Sequence, residues 1–369
     1  MSATKVYIPH RIFTGGDWLS DHAVITEQGI IKEVLPVTSI NKQLSTDYFP
    51  EHILAPAFID LQIYGAYEKL LVVHPTVSSL QLLHQYCREG GAAYCMPTVA
   101  TNEIQVFHQC IDAVREYWKQ GGEGILGLHL EGPWINKNKR GAHIESLIHN
   151  PSVEEAENLL EYGKDVIKII TLAPEVCSLE VLQLIQSYNI QIFAGHSNAR
   201  YEEAMHGFIN GITGVTHLYN AMSSLQHRNP GLVGATLDSM TTVSSIIADG
   251  HHVDYPAIRI AKKIMGERLF AITDAVTGTT EGCYPHYKDG DKYTAGGILS
   301  GSALTMYQAF VNLTSQAGID AGESLRMCSL YPARVMKLDD RLGKIEKGYE
   351  AKLVLFPAGL TNGEPKLLG

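Results

Sequence analysis

Four ionisable side chains stand where apolar runs stop. Glu131 closes Gly127-Leu-His-Leu-Glu131 ahead of a Gly-Pro pair, His196 closes Ile192-Phe-Ala-Gly-His196, His217 closes Ile212-Thr-Gly-Val-Thr-His217, and Asp274 closes Leu269-Phe-Ala-Ile-Thr-Asp274. Taken singly, a histidine in such a place is more often a satisfied structural residue than a ligand. Taken together, two neutral imidazoles and one carboxylate form a three-ligand set for Zn2+ or a similar divalent ion, with a coordination position left for water. Such an ion brings the pKa of bound water to about 7 and polarises a carbonyl oxygen. Asp274 is then placed to accept the water's proton and return it to a leaving amine. The chemistry this pattern predicts is metal-dependent hydrolysis of an amide.

The elements that must position these residues are legible as apolar runs at 53–61, 92–97, 124–130, 166–172, 190–195, 212–217, 244–249 and 269–274. Helical segments separate them, and strand followed by helix, repeated, signals a parallel sheet with crossover helices. Eight such units predict an α/β fold, a closed (β/α)8 TIM-like barrel. The clearest helix is 102–119, where Ile104, Phe107, Ile111, Val114 and Trp118 recur at helical spacing behind Thr101 as N-cap. Barrel enzymes work at the C-terminal ends of their strands, so Glu131, His196, His217 and Asp274 are expected to converge. Both chain ends read as short strands, Val6-Tyr-Ile8, Ala23-Val-Ile-Thr26 and Ile30 to Leu35 at one end and Gly343 to Phe356 at the other. They are expected to form one small β-sandwich, so the predicted domains are 1–52 and 339–369 for the sandwich and 53–338 for the barrel. Residues 278–297 read as a long loop or hairpin, and 302–317 and 322–336 as helices.

Composition narrows the function classes. The 369 residues are 45% hydrophobic and 18% charged, with a formal net charge of −10. That balance argues against nucleic acid or an anionic membrane as partner, so an anionic substrate must be held by local charges. Cys87, Cys95, Cys110, Cys177, Cys283 and Cys328 show no paired spacing and are read as reduced core thiols. The first twenty residues lack a continuous apolar stretch, and no run reaches the length of a membrane span. A cytoplasmic protein is expected.

His129-Leu-Glu131-Gly-Pro-Trp, Ala194-Gly-His196-Ser-Asn-Ala, Thr216-His217-Leu-Tyr-Asn-Ala-Met, Asp249-Gly-His-His252-Val and Thr273-Asp274-Ala, in this order, resemble the N-acetylglucosamine-6-phosphate deacetylases of the amidohydrolase superfamily. The resemblance covers nearly the whole chain. It implies a barrel with a β-sandwich, Glu131, His196 and His217 as metal ligands, and Asp274 as catalytic acid/base. It also assigns His143 to the acetamide carbonyl, Asn220, Ala221, Arg228 and His252 to the phosphosugar, and Ala142 to the residues that bind substrate. The implied substrate is N-acetyl-D-glucosamine 6-phosphate, cleaved to D-glucosamine 6-phosphate and acetate; the galactosamine epimer or another N-acylated small molecule is the alternative. A homodimer is implied as well. A non-catalytic barrel is disfavoured, because all four motif residues are present.

The first strand departs from the superfamily, in which a His-x-His pair often holds a second metal. Here Gln62 and Tyr64 occupy those places, and neither is a good zinc ligand, so one divalent ion is expected. Tyr64 is also unusual among the deacetylases, where an amide is more typical. Zn2+ is the leading candidate for the ion, with Fe2+, Co2+ and Mn2+ compatible with the same donors.

Overall fold

The computed structural model describes residues 4–41, 43–360 and 363–369. The chain forms two compact units, one of Met1–Asp60, Gln85–Tyr94 and Thr305–Gly369, the other of Leu61–His84 and Cys95–Leu304.

In the first unit the two chain ends pair within one seven-stranded sheet. Its path runs Lys366–Leu368, Leu353–Pro357, Thr46–Pro56, Lys5–Phe13, His22–Glu27, Ile30–Pro36, with Trp18–Ser20 beside Lys5–Phe13. Thr46–Pro56 is the seam: it runs parallel to Lys5–Phe13 and antiparallel to Leu353–Pro357, with Leu54 opposite Leu355. Leu54 packs with Tyr7, Ile12, Val24, Ile31 and Leu353 in a buried cluster. Truncating so buried a leucine to alanine removes transfer energy and leaves a cavity, about 2–5 kcal/mol in all.

The expected barrel is present. Eight parallel strands follow the order Leu269–Ile272, Val243–Ile247, Ile212–Val215, Gln191–Ala194, Ile167–Leu172, Leu128–Glu131, Ala92–Ala100, Phe58–Ile63. The ring closes where Ile63 bridges Ala275 and the Asp274 N–H donates to the Gln62 carbonyl at 3.0 Å. The second unit contains the C-terminal ends of all eight strands.

Three local expectations need correction. The run 53–61 is two elements, Thr46–Pro56 and Phe58–Ile63: the first pairs with Leu353–Pro357 in the terminal sheet, the second with Ala92–Ala100 in the barrel. The helix expected at 102–119 is Ile104–Lys119 with Glu103 at its N-cap, since the Thr101 hydroxyl bonds to the His143 ring instead. The helix expected at 322–336 is broken at Ser329 into Ala321–Cys328 and Leu330–Val335. Residues 278–297 lead into a three-stranded sheet, Tyr287–Asp289, Lys292–Ala295 and Ile298–Ser302. All six cysteines are free; Cys87, Cys95, Cys110 and Cys328 are buried, whereas Cys283 is exposed and is no core thiol. Among the described residues no helix is long and apolar enough to cross a membrane.

Candidate metal centre

Glu131 is the last residue of Leu128–Glu131, paired on one side with Ala100 and on the other with Thr171, and is 1% exposed. The turn after it admits only glycine: Gly132 has φ +80°, and a Cβ there would lie 2.2 Å from Thr101 Oγ1. His196, His217 and Asp274 each follow a strand by two residues and each has positive φ, 47°, 38° and 54°. Residues with a Cβ seldom adopt this conformation, and its concentration at one end of a barrel marks stored strain of the kind found at functional sites.

The side chains of Glu131, His196 and His217 meet. Glu131 Oε1 is 3.2 Å from His196 Nε2 and 3.0 Å from His217 Nε2, and the two nitrogens are 3.1 Å apart. The edges of this triangle approach the ~3.3 Å that a tetrahedral centre with bonds of ~2.0–2.1 Å would impose. The tautomer of His196 adds a chemical argument. Its Nδ1 lies 2.9 Å from the Lys139 carbonyl, which can only accept, so Nδ1 carries a proton, and in the neutral ring Nε2 is the nitrogen that keeps a lone pair. A lone pair facing a carboxylate oxygen is repulsive unless a cation lies between them. The donor set therefore fits a divalent ion.

His143 is near enough to compete, since ligating atoms of Glu131, His143 and His196 lie within 4.8 Å of one another. Its hydrogen bonds point to a different role. The Thr101 N–H points at His143 Nδ1 at 3.3 Å, with the Thr101 hydroxyl at 2.7 Å. An N–H can only donate, so Nδ1 accepts and Nε2 carries the proton, 3.4 Å from Glu131 Oε2. His143 is thus a buried donor aimed into the site. Among the described residues His217 Nδ1 is buried without a hydrogen-bond partner, so its ring has no outer acceptor there of the kind that usually orients a ligand histidine.

Protonation states agree with this arrangement. Burial pushes the Glu131 carboxyl up, but His196, His143 and His217 outweigh it and hold the group well below the usual carboxylate range. Burial first, then the neighbouring His196, brings His143 down to about 4; burial likewise lowers His129 to about 4 and also lowers His217. Burial and the adjacent charges of Glu131 and Asp274 raise Tyr64 well above its ordinary value, so its phenol stays protonated. An ionised Glu131 carboxylate beside a neutral His217 imidazole is the state metal binding requires.

Asp274, 7% exposed, accepts from Gln62 Nε2 at 2.8 Å. A cavity of about 330 Å3 opens over the cluster, lined by Glu131, His196, His217 and Asp274 together with Ala142, His143, Asn220, Ala221 and His252. Asp249 Oδ2 orients the His252 ring through Nδ1 at 2.6 Å. Arg228 is not brought to this cavity: it is exposed and absent from the lining. Sequence reasoning missed Tyr284, His286 and Ser300, which also line it. They lie in the polar stretch after the last barrel strand, where no period or motif marks them. It also missed that Gln62 bonds the catalytic candidate Asp274.

The model of the Amidohydrolase family matches residues 53–367, and that of the NagA composite domain matches residues 9–47. An N-acetylglucosamine-6-phosphate deacetylase of Haemophilus influenzae is 34% identical over 94% of this chain and 93% of its own. An N-acetylgalactosamine-6-phosphate deacetylase of Escherichia coli O157:H7 is 31% identical over 97% of this chain and 96% of its own. The crystal structure of N-acetylglucosamine-6-phosphate deacetylase from Pasteurella multocida superposes with a TM-score of 0.92 at 32% identity, covering 99% of this chain and 97% of that one. With a family model across most of its length and relatives this similar from end to end, the chain belongs to the amidohydrolase family, a hydrolase of carbon–nitrogen bonds.

Proposed function

We propose that the protein hydrolyses the acetamide of N-acetyl-D-glucosamine 6-phosphate to D-glucosamine 6-phosphate and acetate. The observation that carries this reading is the meeting, in one cavity, of the Glu131–His196–His217 triangle, the buried carboxylate of Asp274 and the donor Nε2–H of His143. Glu131, His196 and His217 would hold a divalent ion, Zn2+ by first choice with Fe2+, Co2+ or Mn2+ suiting the same donors, which would acidify water and polarise the acetamide carbonyl. Asp274 takes the proton of the attacking water on its carboxylate and delivers it to the nitrogen as the C–N bond breaks. His143 donates from Nε2 to the carbonyl oxygen, where negative charge develops. Asn220, Ala221 and His252, with Ala142, are assigned to the sugar and its phosphate. Arg228 joins them on the strength of its motif alone.

The galactosamine epimer is the second reading, favoured by the relative from Escherichia coli that carries that name. Acetate release measured side by side on the two phosphosugars and an N-acetyl amino acid, before and after chelation, tests both. Activity confined to the amino acid, or undiminished by complete metal removal, rejects the proposal. We further assign a homodimer, on the strength of the family resemblance, and a cytoplasmic setting, supported by six free cysteines. Sedimentation as a monomer at micromolar concentration rejects the first.

A further inference from the structure

Gln62 and Tyr64, at the end of the first barrel strand, touch both acidic residues of the centre. The Tyr64 hydroxyl donates to Glu131 Oε2, and the Gln62 amide lies 2.8 Å from Tyr64 Oη, 3.1 Å from Glu131 Oε1 and 2.8 Å from Asp274 Oδ1. His143 Nε2 approaches the same Oε2 at 3.4 Å. The two oxygens of Glu131 are thereby distinguished: Oε1, which the Gln62 amide also reaches, is the one that faces His196 and His217, while Oε2 lies between the Tyr64 hydroxyl and His143 Nε2. A second cation here would need Oε2 and electron pairs from this strand end. Toward the centre the strand turns an amide N–H and a phenol that already donates.

The backbone holds this pair rigidly. The Tyr64 N–H donates to the Ala275 carbonyl at 2.9 Å, and the Tyr64 carbonyl accepts from Leu71 at 3.0 Å. The next residue must be glycine, because a Cβ on Gly65 would lie 2.3 Å from the Lys69 carbonyl oxygen. A phenol on such a support can fix the carboxylate that it touches.

Resting on the metal-centre reading above, we propose that Tyr64 is a positioning residue: its hydroxyl holds Glu131 so that Oε1 alone is offered to a cation, and it closes off the place of a second, so that the chain carries one ion. Outer partners of ligand residues commonly account for 10–100-fold in metal affinity. Removing this hydroxyl should cost about that much and also free Oε2 to chelate.

The test titrates metal-free full-length protein with Zn2+ against a chromogenic chelator, for the natural chain and for Tyr64→Phe, alongside metal content after dialysis and the visible spectrum of the Co2+-loaded forms. Expected results are one equivalent in the natural chain, affinity lower by about 10–100-fold in Tyr64→Phe, and a weaker cobalt spectrum in the variant as its coordination number rises. Melting of the two metal-free forms within about 2 °C of each other would separate this from a general loss of fold. Two tight equivalents in the natural chain, an affinity in Tyr64→Phe that is within about two-fold of the natural one or higher, or an unchanged cobalt spectrum overturns the proposal. A natural chain that takes up no ion at all would instead overturn the metal-centre reading.

Discussion

Replacing Asp274 by asparagine removes a proton-accepting oxygen and leaves the shape of the side chain. Asparagine tolerates the left-handed φ of 54° found here, whereas alanine would add backbone strain to the chemical loss. The amide oxygen of the Asp274→Asn variant can still accept from Gln62, as Oδ1 now does at 2.8 Å, so fold and metal uptake should persist. A positioned acid/base contributes about 10²- to 10⁴-fold, or ~2.7–5.5 kcal/mol at ~1.36 kcal/mol per decade. Asp274 is asked to act twice, first on water and then on the amine, so turnover should fall by at least ~100-fold. The assay is coupled acetate release at saturating phosphosugar, with metal content measured on the same samples. Were Asp274 only structural, the loss of one charge-assisted hydrogen bond would lower stability by about 1.5–3 kcal/mol and leave turnover nearly intact. Turnover within about ten-fold of the natural chain at equal metal content refutes the proton-carrier role.

Other expectations concern the residues around this centre. His143→Phe keeps an aromatic ring in a buried place and deletes the donor, so kcat should drop by about 10²- to 10³-fold; steady-state kinetics with kcat unchanged would remove His143 from the chemistry. Arg228→Ala should raise KM for the phosphosugar and spare kcat, because a phosphate contact binds ground and transition states alike; an unaltered KM returns Arg228 to the solvated surface. Burial lowers His286 to about 4, while its Nδ1 lies 2.8 Å from Ser300 Oγ. The unfolded ring titrates near ~6.5, so between the two values the unfolded chain takes up a proton that the folded one refuses. Its contribution to stability is therefore present above pH ~6.5 and lost as the pH falls toward 4, amounting to about 2 kcal/mol between pH 7 and 5. His286→Gln should flatten the fall in unfolding free energy between pH 7 and 5 by that amount, measured by denaturant titration at each pH, and a variant with the natural pH dependence contradicts the assignment.

Much of the fold is legible in the chain because burial leaves a local trace. Apolar runs such as Ile192-Phe-Ala and Leu269-Phe-Ala-Ile record strands covered on both faces, and the residue just past each run lies at the strand end whatever the rest of the chain does. The barrel, and the candidacy of Glu131, His196, His217 and Asp274, follow from that alone. The break between Thr46–Pro56 and Phe58–Ile63 does not, because both pieces are apolar and only the pairing of Leu54 with Leu355 separates them.

The chemical roles of neighbouring side chains depended on contacts that no local pattern carries. Whether an imidazole is a ligand or a donor depends on which of its nitrogens holds the proton. For His196 the Lys139 carbonyl, 57 positions away, decides this, and for His143 the N–H of Thr101, 42 positions away. Thr101 looks like a helix cap for the same reason that it is not one: its hydroxyl is committed to a ring that its own neighbourhood does not reveal. Gln62 reaches Asp274 across 212 positions, and Arg228, plausible from its type, lies outside the cavity. Hydrophobic periodicity records which faces are covered, whereas the direction of a hydrogen bond is set by whichever group the closed barrel brings opposite. Local pattern is enough to specify the scaffold and the residues placed to act; which of them give protons, which accept them and which can face a cation is fixed only when the barrel closes.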